Sequence, residues 1–216
     1  MSGRLVDLHD ALLIDLDGVV YRGRDAVAHA IPSLRESGAS GLSLAFVTNN
    51  AGREPREIAA HLRELGLEVS EADVVTSAQA GARLVAEQVG VGSAVLAVGG
   101  PGVAAALVAR GLVPVTSAEQ APAAVMMGFG PDVGWRELAE AAYALQNGAL
   151  FVATNGDVTF PTARGLAPGN GANVAAVVAA TGRTPLVAGK PQAPLMRESI
   201  ERVAARHPLI IGDRLD

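Results

Sequence analysis

The sequence predicts an α/β protein: a Rossmann-like parallel sheet with a second, smaller α/β domain inserted into it. Two observations carry that reading. Short apolar runs that read as buried strands alternate with stretches of helical periodicity, the pattern of a parallel sheet joined by crossover helices. The alternation resumes in a middle stretch, at 94–98, 124–127 and 150–153. A third observation locates chemistry. The first apolar run, 11–14, ends on Asp15 and Asp17, followed by Gly18. Parallel sheets place their sites beyond the carboxyl ends of strands. Two carboxylates that close repel unless a cation or proton chemistry needs both.

Taken in order, the expected strands are 11–14, 44–47, 73–76, 94–98, 124–127, 150–153, 186–187 and 209–211. Helical patterns lie between them. Over 53–65, Ile58, Leu62 and Leu65 recur every three or four positions, and Gly66 offers a stop. The stretch 101–110 opens on Pro101 and ends before Gly111, the expected asymmetry of helix ends. Over 135–146, Leu138, Ala142 and Leu145 share a face, with Gly148 just beyond. The stretch 173–180 is rich in Ala and Val and precedes Gly182, and 194–206 turns Leu195, Ile200 and Val203 inward. Two places, 77–81 and 184–189, read as linkers. The first domain is therefore expected at 1–77 and 187–216, and the second at 78–186. The chain closes on an apolar strand running into Asp213 and Asp216 with no helix after it, so it reads as a piece of a longer one.

Half of the 216 residues are hydrophobic and only 3% are aromatic, so the core must be built of Ala, Val, Leu and Ile. A net charge of −5 offers no basic footprint for nucleic acid. No apolar run reaches the roughly 18 residues of a membrane span, and the first ten residues do not resemble a secretory leader. The absence of cysteine excludes disulfides and thiolate metal sites and fits a cytoplasmic protein. Of 17 basic residues a single one, Lys190, is a lysine. A compact point charge kept in an arginine-biased chain points to a site.

Four regions could serve one site. The first run supplies Asp15 and Asp17, the second Thr48, Asn49 and Asn50, a third region Lys190, and the last strand Asp213, with Asp216 a weaker candidate. Were the strands parallel neighbours, these groups would meet at one sheet edge. Oxygen ligands without sulfur or histidine suit Mg²⁺. A hydroxyl, backbone N–H groups and a lysine suit a phosphate dianion. One carboxylate is then left to attack phosphorus and another to move protons.

Asp15-x-Asp17-Gly-Val-x-Tyr, Val47-Thr48-Asn49-Asn50, Gly189-Lys190-Pro191 and Gly212-Asp213-Arg214-Leu215 stand in this order along the chain. Together they resemble the four motifs of the haloacid dehalogenase superfamily of phosphatases, in the form of its type-IIA branch, the NagD-like and p-nitrophenyl phosphatase proteins. The resemblance implies a haloacid dehalogenase core with an inserted α/β cap. It implies that Asp15 is the nucleophile that forms an aspartyl-phosphate and that Asp17 serves as acid, then base. It implies Mg²⁺ held by Asp15, the Asp17 carbonyl and Asp213, and phosphoryl oxygens held by Thr48, Asn49 and Lys190. The family pattern continues Gly-Asp-x-x-x-Thr-Asp. This sequence stops at Asp216, short of that second Asp, and Asp216 matches a variable position.

Some residues carry two readings. Asn50 either contacts phosphate or caps the helix that follows. Phe151-Val-Ala-Thr154-Asn155-Gly156-Asp157 imitates the Thr48 motif, but chain order favours Thr48. Asp157 and the glycines of Pro168-Gly169-Asn170-Gly171 fall in cap loops, where Asp157 either touches substrate or caps locally. Gly99-Gly100-Pro101-Gly102 lacks the features of a phosphate loop and reads as a strand-to-helix turn. His9, His29, His61 and His207 form no metal pattern, and Trp135 is expected in the core or an interface.

The function expected from the resemblance is Mg²⁺-dependent hydrolysis of a small phosphate monoester, such as glycerol 3-phosphate or phosphoglycolate. Nucleoside monophosphates and pyridoxal phosphate come next. A non-enzymatic, phospholigand-binding regulator on the same scaffold is opposed by the intact Asp15 and Asp17. Dehalogenation is opposed by Asp17, because halide loss needs no proton donor. A closing cap would limit substrate size, and the cap is where a homodimer would form.

Overall fold

The computed structural model describes residues 7–162 and 164–213. The elements in chain order are β1 (Ala11–Asp15), β2 (Tyr21–Arg22), β3 (Asp25–Ala26), α1 (Ala30–Ala39), β4 (Ser43–Thr48), α2 (Pro55–Glu64) and β5 (Val74–Thr76). There follow α3 (Ser77–Val89), β6 (Ala94–Val98), α4 (Pro101–Ala109), β7 (Val113–Val115), β8 (Ala124–Met127), α5 (Trp135–Gln146) and β9 (Leu150–Ala153). The remainder are β10 (Thr159–Thr162), β11 (Gly165–Pro168), α6 (Asn170–Thr181), β12 (Leu186–Val187), α7 (Ala193–Arg202) and β13 (Pro208–Ile211). They form two compact units. One takes the chain up to Thr48, then Pro55–Val75, then Met196 onward; the other takes Asn49–Glu54 and Thr76–Leu195.

The first unit is built on a sheet of order β13-β1-β4-β5. Its central strand β1 runs parallel to both neighbours, with Ile14 opposite Ile211 on one side and Asp15 opposite Val47 on the other. Ala11 to Ile14 are all at most 3% exposed, as a strand covered on both faces requires. Leu12, Ile14, Phe46, Ile58 and Leu62 form the centre of the core, so the three-and-four spacing of α2 meets the sheet as expected. Helix α1 was not foreseen. Ile31 and Leu34 anchor it despite its Pro32, serines and Gly38, and Pro32 lies in the first turn, where proline is tolerated.

The second unit holds a five-stranded sheet, β12-β9-β8-β6-β7, with every pairing parallel. The two faces of β8 divide the core. Val125 and Met127 pack with Leu96, Leu145 and Phe151, while Ala124 and Met126 pack with Val103, Leu107 and Val152. This is the period-two alternation of a strand buried on both sides.

The expectation of a linker at 77–81 is overturned. These residues open α3, and Ser77, Ala78, Ala80 and Gly81 are buried. A reciprocal cap starts the helix: Thr76 Oγ1 accepts from the Gln79 N–H at 3.3 Å, and Gln79 Oε1 accepts from the Thr76 N–H at 3.0 Å. The 184–189 stretch contains β12, an edge strand paired to β9, and residues 187–195 belong to the second unit. Helix α6 begins at Asn170, three residues before the expected start. Trp135 is 77% exposed, so the core placement fails. Among the described residues no helix is long and apolar enough to cross a membrane.

Candidate active site

Three of the expected groups are at the carboxyl edge of the β13-β1-β4-β5 sheet. Asp15 ends β1, Thr48 ends β4, and Asp213 follows β13 by two residues. Because β1 is the middle strand, Thr48 and Asp213 flank Asp15 on strands about 4.8 Å to either side. Asp15 is half-buried and its Oδ1 accepts the Leu16 N–H at 2.7 Å, which holds the carboxylate against the strand end. Asp17 is exposed on the turn that follows. That turn is tight: the Leu16 carbonyl accepts N–H groups of Val19, Val20 and Tyr21, and the Gly18 N–H returns to Tyr21 O at 2.9 Å. Gly18 has φ +86°, and a Cβ there would collide with the Asp213 carboxylate. A bare glycine is what lets the two loops approach. Thr48 is 1% exposed.

The donor set fits a hard cation. Among the described residues no three His, Cys, Asp or Glu side chains gather into a metal cage. Asp15 and Asp213 nevertheless supply carboxylate oxygens at adjacent strand ends, and the Asp17 turn adds backbone carbonyls. One or two carboxylates completed by water is how Mg²⁺ is usually held. Asp216 lies outside the described residues.

The other expected groups are in the second unit. The strand before Lys190 is β12, in the five-stranded sheet, so the expected single edge of neighbouring strands does not include Lys190. Asn49 lies at the centre of a network there. Its Oδ1 accepts the Lys190 N–H at 2.8 Å, and its Nδ2 donates to Lys190 O at 3.2 Å and to Asp157 Oδ2 at 3.0 Å. Its carbonyl accepts from Ser77 Oγ at 2.6 Å and Asn155 Nδ2 at 2.8 Å. Asp157 thus pairs with Asn49, and its N–H donates to Asn155 Oδ1 at 3.1 Å. Asn50 is not the cap of α2, which begins five residues later at Pro55; its Oδ1 accepts the Gly52 N–H at 2.9 Å in a local turn.

Sequence reasoning missed Ser77 and Gly189 as parts of this network. Ser77 was hidden in the supposed linker, although Thr76 and Gln79 carry the spacing of a capping box. A Cβ on Gly189 would lie 2.6 Å from both Asn49 Oδ1 and Thr154 O, so only glycine fits between them. Gly99–Gly102 is a strand-to-helix turn, as expected. A Cβ on Gly100 would meet Gly52 O at 2.7 Å, and one on Gly102 would strike the carbonyls of Ala51 and Arg53. The N–H groups of Gly100 and Gly102 already donate to Phe129 O and Gly52 O, so backbone takes two of the donors a phosphate loop would offer.

Comparison with known proteins identifies the family. A haloacid dehalogenase-like hydrolase family model matches residues 12–113. An acid sugar phosphatase of Staphylococcus saprophyticus is 36% identical over 193 residues, 89% of this chain and 73% of that protein. The chain belongs to the haloacid dehalogenase-like hydrolase family. A D-glycerol 3-phosphate phosphatase of Mycobacterium tuberculosis is 51% identical over 208 residues, covering 96% of this chain; the chain spans 58% of that relative's length. The crystal structure of a glycerol phosphate phosphatase from M. tuberculosis with magnesium superposes with a TM-score of 0.95 at 49% identity, over all of this chain and 65% of that one. A p-nitrophenyl phosphatase from Archaeoglobus fulgidus gives 0.84 at 28% identity, over 91% and 74%.

Proposed function

We propose that the protein is a Mg²⁺-dependent phosphatase that hydrolyses a small phosphate monoester through an aspartyl-phosphate on Asp15. The observation that carries the reading is the edge of the first sheet, where Asp15 stands between Thr48 and Asp213 with Asp17 one turn away. Asp15, the Asp17 carbonyl and Asp213 would hold the cation, which when bound offsets the repulsion between an attacking carboxylate and a dianionic phosphate. Asp15, steadied by the Leu16 N–H, attacks phosphorus. Asp17, exposed on its turn, protonates the departing alkoxide and then takes a proton from the hydrolytic water. Thr48, the Asn49 backbone and Lys190 take the phosphoryl oxygens. In this reading 1–77 and 187–216 form the catalytic core and 78–186 the cap.

Glycerol 3-phosphate is the favoured substrate, on the strength of the 51% identical mycobacterial relative. A cytoplasmic location is in keeping with the lack of cysteine. A homodimer through the second unit is supported by exposed Trp135, Val158 and Leu166. Phosphate release from glycerol 3-phosphate, measured with Mg²⁺ and after chelation, tests the reading. Asp15→Asn and chelation should each abolish turnover; activity surviving Asp15→Asn would remove the nucleophile assignment.

A further inference from the structure

We propose that Asn49 is the positioning residue for Lys190, with Asp157 locking the Asn49 amide the right way round. The inference rests on the reading that Lys190 binds the phosphoryl group. Lysine is a point charge on a flexible four-carbon stem, so where its ammonium stands depends on how firmly its own peptide is held. Asn49 holds that peptide from both sides, accepting from Lys190 N and donating to Lys190 O.

An amide can face either way, and here its partners decide. The Lys190 N–H can only donate, so it needs the amide oxygen. The Asp157 carboxylate, when ionised, can only accept, so it needs the amide nitrogen. Both demands agree, and a flipped Asn49 would set oxygen against carboxylate. The Asn49 backbone is pinned in turn by Ser77 and Asn155. Gly189 leaves the room for Asn49 Oδ1. Every polar group of the Asn49 side chain is thus committed to the Lys190 loop or to Asp157.

Lys190 is the only lysine in the chain, so its reactivity can be followed at one site. The test is trace acetylation with acetic anhydride in the presence of Mg²⁺, read on the Lys190 peptide by mass spectrometry, with inorganic phosphate as the protecting probe. In the unsubstituted protein phosphate should slow labelling of Lys190. In Asn49→Asp, which opposes two carboxylates and removes the donor to Lys190 O, the phosphate concentration giving half protection should rise about 10- to 100-fold, the range for losing an orienting partner. Asp157→Ala should raise it about threefold, the loss of one hydrogen bond. It carries the test should Asn49→Asp not fold. The exchange Asn49→Asp with Asp157→Asn restores a donor facing an acceptor, and should recover part of the loss, which a merely structural defect would not do. Unchanged half protection in Asn49→Asp, or in Asp157→Ala where that variant stands in, overturns the inference while leaving the Lys190 reading intact. Absence of phosphate protection in the unsubstituted protein removes the Lys190 reading itself.

Discussion

Two strand ends in this molecule carry nearly the same sequence and do different work. Phe46-Val47-Thr48-Asn49 closes β4, and Phe151-Val152-Ala153-Thr154-Asn155 closes β9. Both threonines are buried, at 1% and 0% exposure. Thr48 ends the strand beside the Asp15 carboxylate. Thr154 Oγ1 finds no hydrogen-bond partner among the described residues and is packed near Gly81 and Gly128. The asparagines differ in the same sense. Asn49 spends its side chain on the Lys190 loop, whereas Asn155 spends its own on Asn49 O and the Asp157 N–H. Asn170 adds a further tie, donating to Asn155 O at 2.8 Å. The second copy of the motif is therefore support for the first. A motif's residue types state what it can do, and the neighbouring strand decides what it does.

The largest effect that could break this comparison comes from parallel Thr→Val substitutions, which keep shape and remove the hydroxyl. Thr48→Val should lower phosphate release about 10²- to 10³-fold, the usual cost of losing one donor to developing charge. Thr154→Val should leave turnover unchanged. It should stabilise the fold by about 1 kcal/mol, because an unpaired buried hydroxyl is relieved. Steady-state kinetics and thermal melts on both variants read this directly. Equal losses of turnover would make the two strand ends functionally equivalent.

Gly189→Ala probes the contact that joins Asn49 to the Lys190 loop. The added methyl meets two oxygens at 2.6 Å. Overpacking of this kind costs about 1–3 kcal/mol, and turnover should fall about tenfold as the loop shifts. A melt unchanged from that of the unsubstituted protein would show that the loop yields freely. Asn50→Ala should do less. It removes the turn to the Gly52 N–H, worth about 0.5–1.5 kcal/mol, and should leave turnover within about threefold of the original. A loss as deep as that of Thr48→Val would instead make Asn50 a phosphate ligand.

Much of the fold was legible because its strands are continuous apolar runs. β6, β8, β9 and β12 have the expected limits, β1, β5 and β13 differ from theirs by a residue at one end, and β4 by a residue at each end. The two helices that were missed have too few large apolar residues to make a sustained helical stripe. α3 packs through Ala, Ser and Gly, whose burial comes from close approach rather than from a stripe, and α1 holds through two anchors. The hairpins β2–β3 and β10–β11 are too short to show a period. Asp15 and Asp17 were legible because carboxylates after an apolar run are conspicuous. The role of Asn49 was not. Its partners Asp157 and Lys190 lie 108 and 141 positions away, and only tertiary structure brings them to its amide.

The comparison between chemical and supporting polar groups extends to the opposite edge of the first sheet. Asp10, just before β1, is a carboxylate with a structural task. Its Oδ2 accepts the Arg206 N–H at 2.7 Å and its Oδ1 the His207 N–H at 2.9 Å, tying the start of β1 to the start of β13. The Arg206 N–H first, then that of His207, holds the Asp10 carboxyl below its ordinary range. A depressed folded-state value means that the unfolded chain binds the proton more readily. The stabilisation is therefore present above about pH 4, the ordinary aspartate value, and is lost as pH falls through the lower folded value. Asp10→Asn keeps one acceptor and discards the charge. Urea midpoints should coincide for the two proteins at the acid end and separate as pH rises past about 4, with the unsubstituted protein the more stable. Because Asp10 is exposed, the separation should be the smallest of these effects. A constant gap at every pH would mean that Asp10 acts through shape alone, and a gap that widens toward acid would reverse the sign of the argument.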